Sequence, residues 1–145
     1  MIIFRCPVVQ HVILEAYKKG LNFQVCILDS TITRRGITLL YFFDQTLFIL
    51  CNLYYKFQCQ LILLGCSAVF SDGSIMAELG AGILAMHGAF DNIPVIVVAQ
   101  SYKFVDKVRK ILIPAERITA IITEIRSLPP TSVPAVLKAK QLVVT

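Results

Sequence analysis

The run Leu61-Ile62-Leu63-Leu64-Gly65-Cys66-Ser67-Ala68-Val69-Phe70, closed by Ser71-Asp72-Gly73-Ser74, decides how this chain folds. It is a continuous apolar stretch that stops in turn-forming residues, the mark of a strand buried on both faces. Pro94-Val95-Ile96-Val97-Val98-Ala99 repeats the pattern, and the residues between predict a helix from Ile75 to His87. Upstream, Val9, Val12, Ile13 and Ala16 recur at helical spacing within Val8 to Lys19, with Pro7 suited to the first turn and Gly20 to the end. Phe23 to Leu28 reads as a short strand, Arg34 to Phe43 as a second helix and Leu47 to Leu50 as a strand. Helical residues are expected again around Phe104 to Lys110, and a last helix from Glu116 to Ser127, between Pro114 and Pro129-Pro130. The tail from Val133 to Thr145 is expected to add a strand or an arm.

Strands alternating with helices imply βαβ units joined by right-handed crossovers. The expected fold class is α/β: one Rossmann-like domain over residues 1–145, a doubly wound, mostly parallel sheet with helices on both faces.

Composition narrows the function. The chain is 57% hydrophobic and only 16% charged, which leaves little polar surface to cover a monomer, so an oligomer is expected. The net charge of +5 is scattered, without the interleaved basic and aromatic stripe of a nucleic-acid groove. Ile37 to Leu64 is apolar enough to suggest a membrane span, but Asp44, Asn52, Lys56 and three glutamines interrupt it. A span needs about 20 nearly uninterrupted apolar residues. The five cysteines Cys6, Cys26, Cys51, Cys59 and Cys66 are odd in number, form no CxxC and read as reduced thiols. His11 and His87 have no partner at metal-ligand spacing, and no metal or cofactor is expected.

The predicted helix after Ser71 is unusual. Ala77, Gly80, Ala81, Ala85 and Gly88 would make one face almost bare of side chains. Interior glycines cost about 1 kcal/mol each against alanine, so close backbone approach must offset them. The neighbour is either the sheet beneath or a second chain, and Gly80→Leu is expected to disrupt packing or assembly. At the helix start, Ser71, Gly73 and Ser74 fit a phosphate cradle, which Asp72 would oppose. The alternative is Ser71 or Asp72 as a simple helix cap. Lys103, just past a strand, would bind an anion, pair at an interface or sit in solvent. No GxGxxG, Walker A, GxSxG or HExxH occurs, and no catalytic constellation stands out.

Gly65 to Gly80, together with Val9 to Ala16, Leu28-Asp29-Ser30, Ile93-Pro94-Val95 and Tyr102-Lys103-Phe104, resembles one particular family. That family joins the alpha, beta and delta regulatory subunits of translation initiation factor 2B with the methylthioribose-1-phosphate isomerases. Ile121 to Ile125 and Thr131 to Leu137 resemble the closing segment of the delta branch. The match covers most of the chain and is weakest between Thr31 and Gln60.

The resemblance implies a C-terminal domain of a cytoplasmic, non-catalytic subunit in a guanine-nucleotide exchange complex. Its partners would be the other subunits and the initiation factor 2 substrate, in a homo- or hetero-oligomer, without direct contact to nucleic acid or membrane. The alternative is a sugar-phosphate isomerase, or a sugar-phosphate- or nucleotide-binding domain of the same fold. The isomerases carry a catalytic Asp two residues after the strand glycine, where this chain has Ser67, and their cysteine motif matches none of the five cysteines. By this resemblance the family's N-terminal helical domain is not expected among these residues, and the segment from Lys110 to Ala115 looks short by a strand, as if one sheet edge were absent or came from another chain. Candidate ligand or interface positions are Asp29, Ser71, Gly73, Ser74, Glu78, Gly80, Tyr102 and Lys103.

Overall fold

The computed structural model of the chain describes residues 2–3, 7–27, 59–78, 80–106 and 113–144. Asp29, the predicted helix Arg34 to Phe43 and the predicted strand Leu47 to Leu50 lie outside the described residues.

In chain order the elements are β1 (Ile2–Ile3), α1 (Pro7–Lys18), β2 (Cys26–Ile27), β3 (Ile62–Gly65), β4 (Ala68–Phe70) and β5 (Ile75–Met76). Then come α2 (Ala81–Phe90), β6 (Val95–Val98), β7 (Phe104–Val105), β8 (Ala120–Ile122), β9 (Ser127–Leu128) and α3 (Val133–Val144). Among the described residues the main sheet has the order β2-β1-β3-β6-β8-β9. All its pairings are parallel except β8 with β9. A smaller sheet, β5-β4-β7, stands beside it.

Period-two alternation builds a core on each face of the main sheet. Ile62 and Leu64 of β3 pack with Val95 and Val97 of β6, Ile121 of β8, Leu84 and Ala85 of α2 and Leu137 of α3. Leu63 and Val98 turn the other way and meet Val9 and Ile13 of α1. The doubly wound reading therefore holds. The helix α1 ends as expected: the Gly20 amide donates to the Tyr17 carbonyl at 2.9 Å and the Leu21 amide to the Ala16 carbonyl at 3.2 Å. These two bonds satisfy carbonyls that the last turn would otherwise leave unpaired.

The helix predicted from Ile75 starts instead at Ala81. Ile75 and Met76 pair antiparallel with Val69 and Ala68, so the long apolar run splits between two sheets after Gly65. Gly80 explains the delayed start, because its φ of 99° lies outside the helical basin. Ala77 is therefore not on the helix, and the bare face reduces to the buried Ala81, Ala85 and Gly88. A Cβ on Gly88 would lie 2.6 Å from Val95 Cγ2 and 3.0 Å from Ile62 Cδ1. The close neighbour is thus the chain's own sheet, not a second chain. Gly80→Leu would still be unfavourable, because side chains rarely adopt that backbone conformation.

Three further expectations are corrected. Phe104 and Val105 form a strand beside β4, not a helix. Glu116 to Ser127 contains only a single 3-10 turn, Ala115–Arg117, before β8 and β9 extend the sheet beyond β6. Of the short Lys110 to Ala115 segment, residues 110–112 lie outside the described residues. The tail is helix α3, with Val133 and Leu137 buried, rather than a strand or an arm. Among the described residues no helix is long and apolar enough to cross a membrane.

The contact under α2 is testable. Gly88→Val should lower the unfolding free energy by about 1–3 kcal/mol through overpacking. Ile83→Ser, on the exposed side of the same helix, should change it by less than about 0.5 kcal/mol. Urea denaturation midpoints of the two variants check both.

Candidate functional site

In open α/β sheets ligands gather beyond the carboxyl ends of the parallel strands. Here those ends are Gly65 of β3, Val98 of β6 and Ile122 of β8. The segment after β6 turns through Ser101–Lys103. Lys103 reaches back from it and donates from Nζ to the Cys66 carbonyl at 2.7 Å. Its ammonium thus ties the end of β3 to the turn after β6 and is not simply solvated. Tyr102 is largely exposed, and its hydroxyl donates to the Gln100 side-chain oxygen.

Ser71, Gly73 and Ser74 do not open a helix. They form the β4–β5 turn, closed by the Phe70 amide donating to the Ser74 carbonyl at 2.9 Å. One carboxylate oxygen of Asp72 accepts the Ser74 amide at 2.9 Å and the Ser74 hydroxyl at 2.5 Å. The Gly73 amide donates to the Phe70 carbonyl at 2.9 Å, and the Ser71 hydroxyl donates to the Asp106 carbonyl at 3.2 Å. The Gly73 and Ser74 amides and the Ser71 and Ser74 hydroxyls are thus already engaged. Neither Ser71 nor Asp72 is a helix cap, because no helix begins there.

Gly73 is fixed for two reasons. Its φ is +83°, and a Cβ would fall 2.5 Å from the Pro130 carbonyl oxygen. The turn is thereby packed against the segment that leads into α3. Glu78 and Gly80 lie in the connection from β5 to α2, where the Glu78 carbonyl accepts the Ala81 amide at 3.1 Å. Ser67 is exposed beyond the end of β3. The structure therefore gathers Lys103 and Cys66 at the sheet's carboxyl edge, and it separates them from the Ser71–Ser74 turn by the length of β4.

One feature at this edge was not foreseen from the sequence. A cleft of about 650 Å³ lies between the Ser101–Lys103 turn, the β8–β9 hairpin and α3. Phe104, Leu128 and Val136 line it with Thr123, Arg126 and Ser132. Thr123 organises the hairpin. Its hydroxyl donates to the Arg126 carbonyl at 2.8 Å and accepts the Arg126 amide at 3.1 Å. Both carboxylate oxygens of Glu124 lie 3.0 Å from the Ser101 amide. Hydrogen bonds from Ser101, and from the residue's own amide, hold the Glu124 carboxyl below the usual carboxylate range. The β-branched run Ile121-Ile122-Thr123 was the available signal for this hairpin.

Cys66 is buried and Cys59 half-buried, both as free thiols, and burial pushes the Cys59 thiol upward. His87 Nε2 stands 3.3 Å from an Asp91 carboxylate oxygen one helical turn on. Among the described residues no cluster of His, Cys, Asp or Glu could hold a metal ion.

Two outcomes follow from these contacts. Asp72→Ala leaves the buried Ser74 hydroxyl and its amide without their acceptor, and should cost about 1–3 kcal/mol in urea denaturation. Glu124 is lowered on folding, so its stabilisation is complete above the unfolded pKa and lost as pH falls through the folded one. Glu124→Gln should therefore flatten the decline in stability measured from neutral pH to about pH 3.

The delta subunit of translation initiation factor eIF2B from Schizosaccharomyces pombe is 27% identical over 112 residues, covering 70% of this chain and 23% of that protein. The crystal structure of eIF2B delta from Chaetomium thermophilum matches with a TM-score of 0.70 at 25% identity, over 83% of this chain and 49% of that one. A chain of the tetrameric eIF2B-beta2-delta2 complex from the same organism matches with a TM-score of 0.79 at 17% identity, over 95% of this chain and 52% of that one, a likeness of fold alone. The chain thus spans about a quarter of the curated relative and about half of the solved ones. Residues 1–111 match the model of the Initiation factor 2 subunit family, and the chain belongs to that family.

Proposed function

We propose that this chain acts as a non-catalytic regulatory and assembly subunit of a translation initiation factor 2B exchange complex, working through contacts with other subunits. The observation that carries the reading is the outer face of α2. Ile83, Met86 and Phe90 are 54%, 53% and 85% exposed and follow one another along one side of the helix. A contiguous apolar patch of this kind favours a protein contact. The delta-like sequence supports a beta-type subunit as partner, as in the beta2-delta2 tetramer of the Chaetomium relative. By extension from the family, the wider partners are the remaining subunits and initiation factor 2, and the compartment is the cytoplasm.

The same reading assigns no catalysis to the chain. Ser67 stands where the isomerases of the family resemblance carry an acid, and a hydroxyl does not replace a carboxylate in moving protons at neutral pH. The Gly73 and Ser74 amides are already bonded within the turn, which gives a sugar phosphate less to hold.

Light scattering after size exclusion, with and without a beta-type subunit, tests the proposal. The unmodified chain should associate, and the double variant Ile83→Asp, Phe90→Asp should not, while keeping its melting temperature because both side chains face water. Association that survives the double variant removes α2 from the contact. A chain that stays monomeric beside its partner, or that turns over a phosphorylated pentose, overturns the function.

A further inference from the structure

We propose that the cleft between the Ser101–Lys103 turn, the β8–β9 hairpin and α3 binds a small organic carboxylate with an apolar body. At about 650 Å³ the cleft falls within the roughly 300–1,000 Å³ of small-molecule sites. It lies beyond the carboxyl ends of β6 and β8, where sheets of this kind hold their ligands. Phe104 and Leu128 are buried beneath it, Ala135, Val136 and Ala139 of α3 form a wall, and Ile125, 73% exposed, stands at the rim. A ligand with an apolar body would cover this surface and remove it from water.

The charge pattern selects the head group. Among the described residues Arg126 is the one charged residue in the lining, and no carboxylate pairs with its guanidinium. The acid nearest in sequence, Glu124, is directed to the Ser101 amide instead. The Arg126 backbone is held at both its amide and its carbonyl by the Thr123 hydroxyl, so the side chain rises from a fixed base. A guanidinium pairs with a carboxylate through two parallel hydrogen bonds. A phosphate monoester brings nearly two charges at neutral pH, and among the described residues no second base lines the cleft to meet them. The site is separate from α2 and does not depend on the subunit contact proposed above.

Isothermal titration of the full chain with phenylbutanoate, phenylbutanol and phenylbutylamine tests the assignment. The acid should bind saturably, the alcohol about tenfold more weakly, and the amine more weakly still. Arg126→Leu should bring the acid down to the level of the alcohol. Ala139→Trp, which fills the cleft from α3, should abolish binding of both. Melting curves confirm that the two variants, both at exposed positions, remain folded. Equal affinity for acid and alcohol, an acid affinity unchanged in Arg126→Leu, or no saturable binding of the acid would each overturn the proposal.

Discussion

The close seating of α2 on β3 and β6 is the constraint on which the remaining architecture depends. Gly88 leaves no room for a side chain between the helix and Val95 and Ile62, and Ala81 and Ala85 continue the same thin face. Close-packed interiors tolerate little change in volume, so this contact sets the height of α2 over the sheet. The crossover between two neighbouring parallel strands is positioned with it. A helix that spends its small residues on its own sheet presents its large ones outward. That is why Ile83, Met86 and Phe90 face water.

At the carboxyl edge, polar contacts do the corresponding work. Lys103 joins the end of β3 to the turn after β6, Asp72 closes the β4–β5 turn, and Glu124 ties the β8–β9 hairpin to the Ser101 amide. Each contact places a charged group against a backbone or hydroxyl partner within normal bonding distance, a stronger bond than that between neutral groups. Together they occupy the Ser74 amide and hydroxyl and one donor of the Lys103 ammonium. They leave Arg126 at the mouth of an apolar cleft.

Parts of this were legible in the residues and parts were not. Leu61 to Gly65 and Val95 to Val98 are apolar without interruption, and a strand buried on both faces has few other ways to look. The period of Val9, Ile13 and Ala16 in α1 was equally direct. Glu116 to Ser127 suits a helix as well as strands, because its charged and apolar residues alternate loosely enough to fit either period. Its place beside β6 decides the matter. Ser71 to Ser74 has the composition of both a helix start and a hairpin turn, and only the pairing of Ile75 with Val69 distinguishes them. The cleft was invisible because its lining comes from segments as distant as Ser101 and Ala139.

By itself the sequence determined the layered α/β class, the two-faced burial of the central strands, the helix α1 and the membership of the Initiation factor 2 subunit family. These follow from local periodicity and from motifs carried by neighbouring residues. Tertiary structure alone decided where α2 begins, which surface its small residues meet, that the last third of the chain makes a hairpin and a helix, and where the cleft opens. Those outcomes depend on backbone pairing and close packing between residues far apart in the chain, and no local pattern encodes the distance between them.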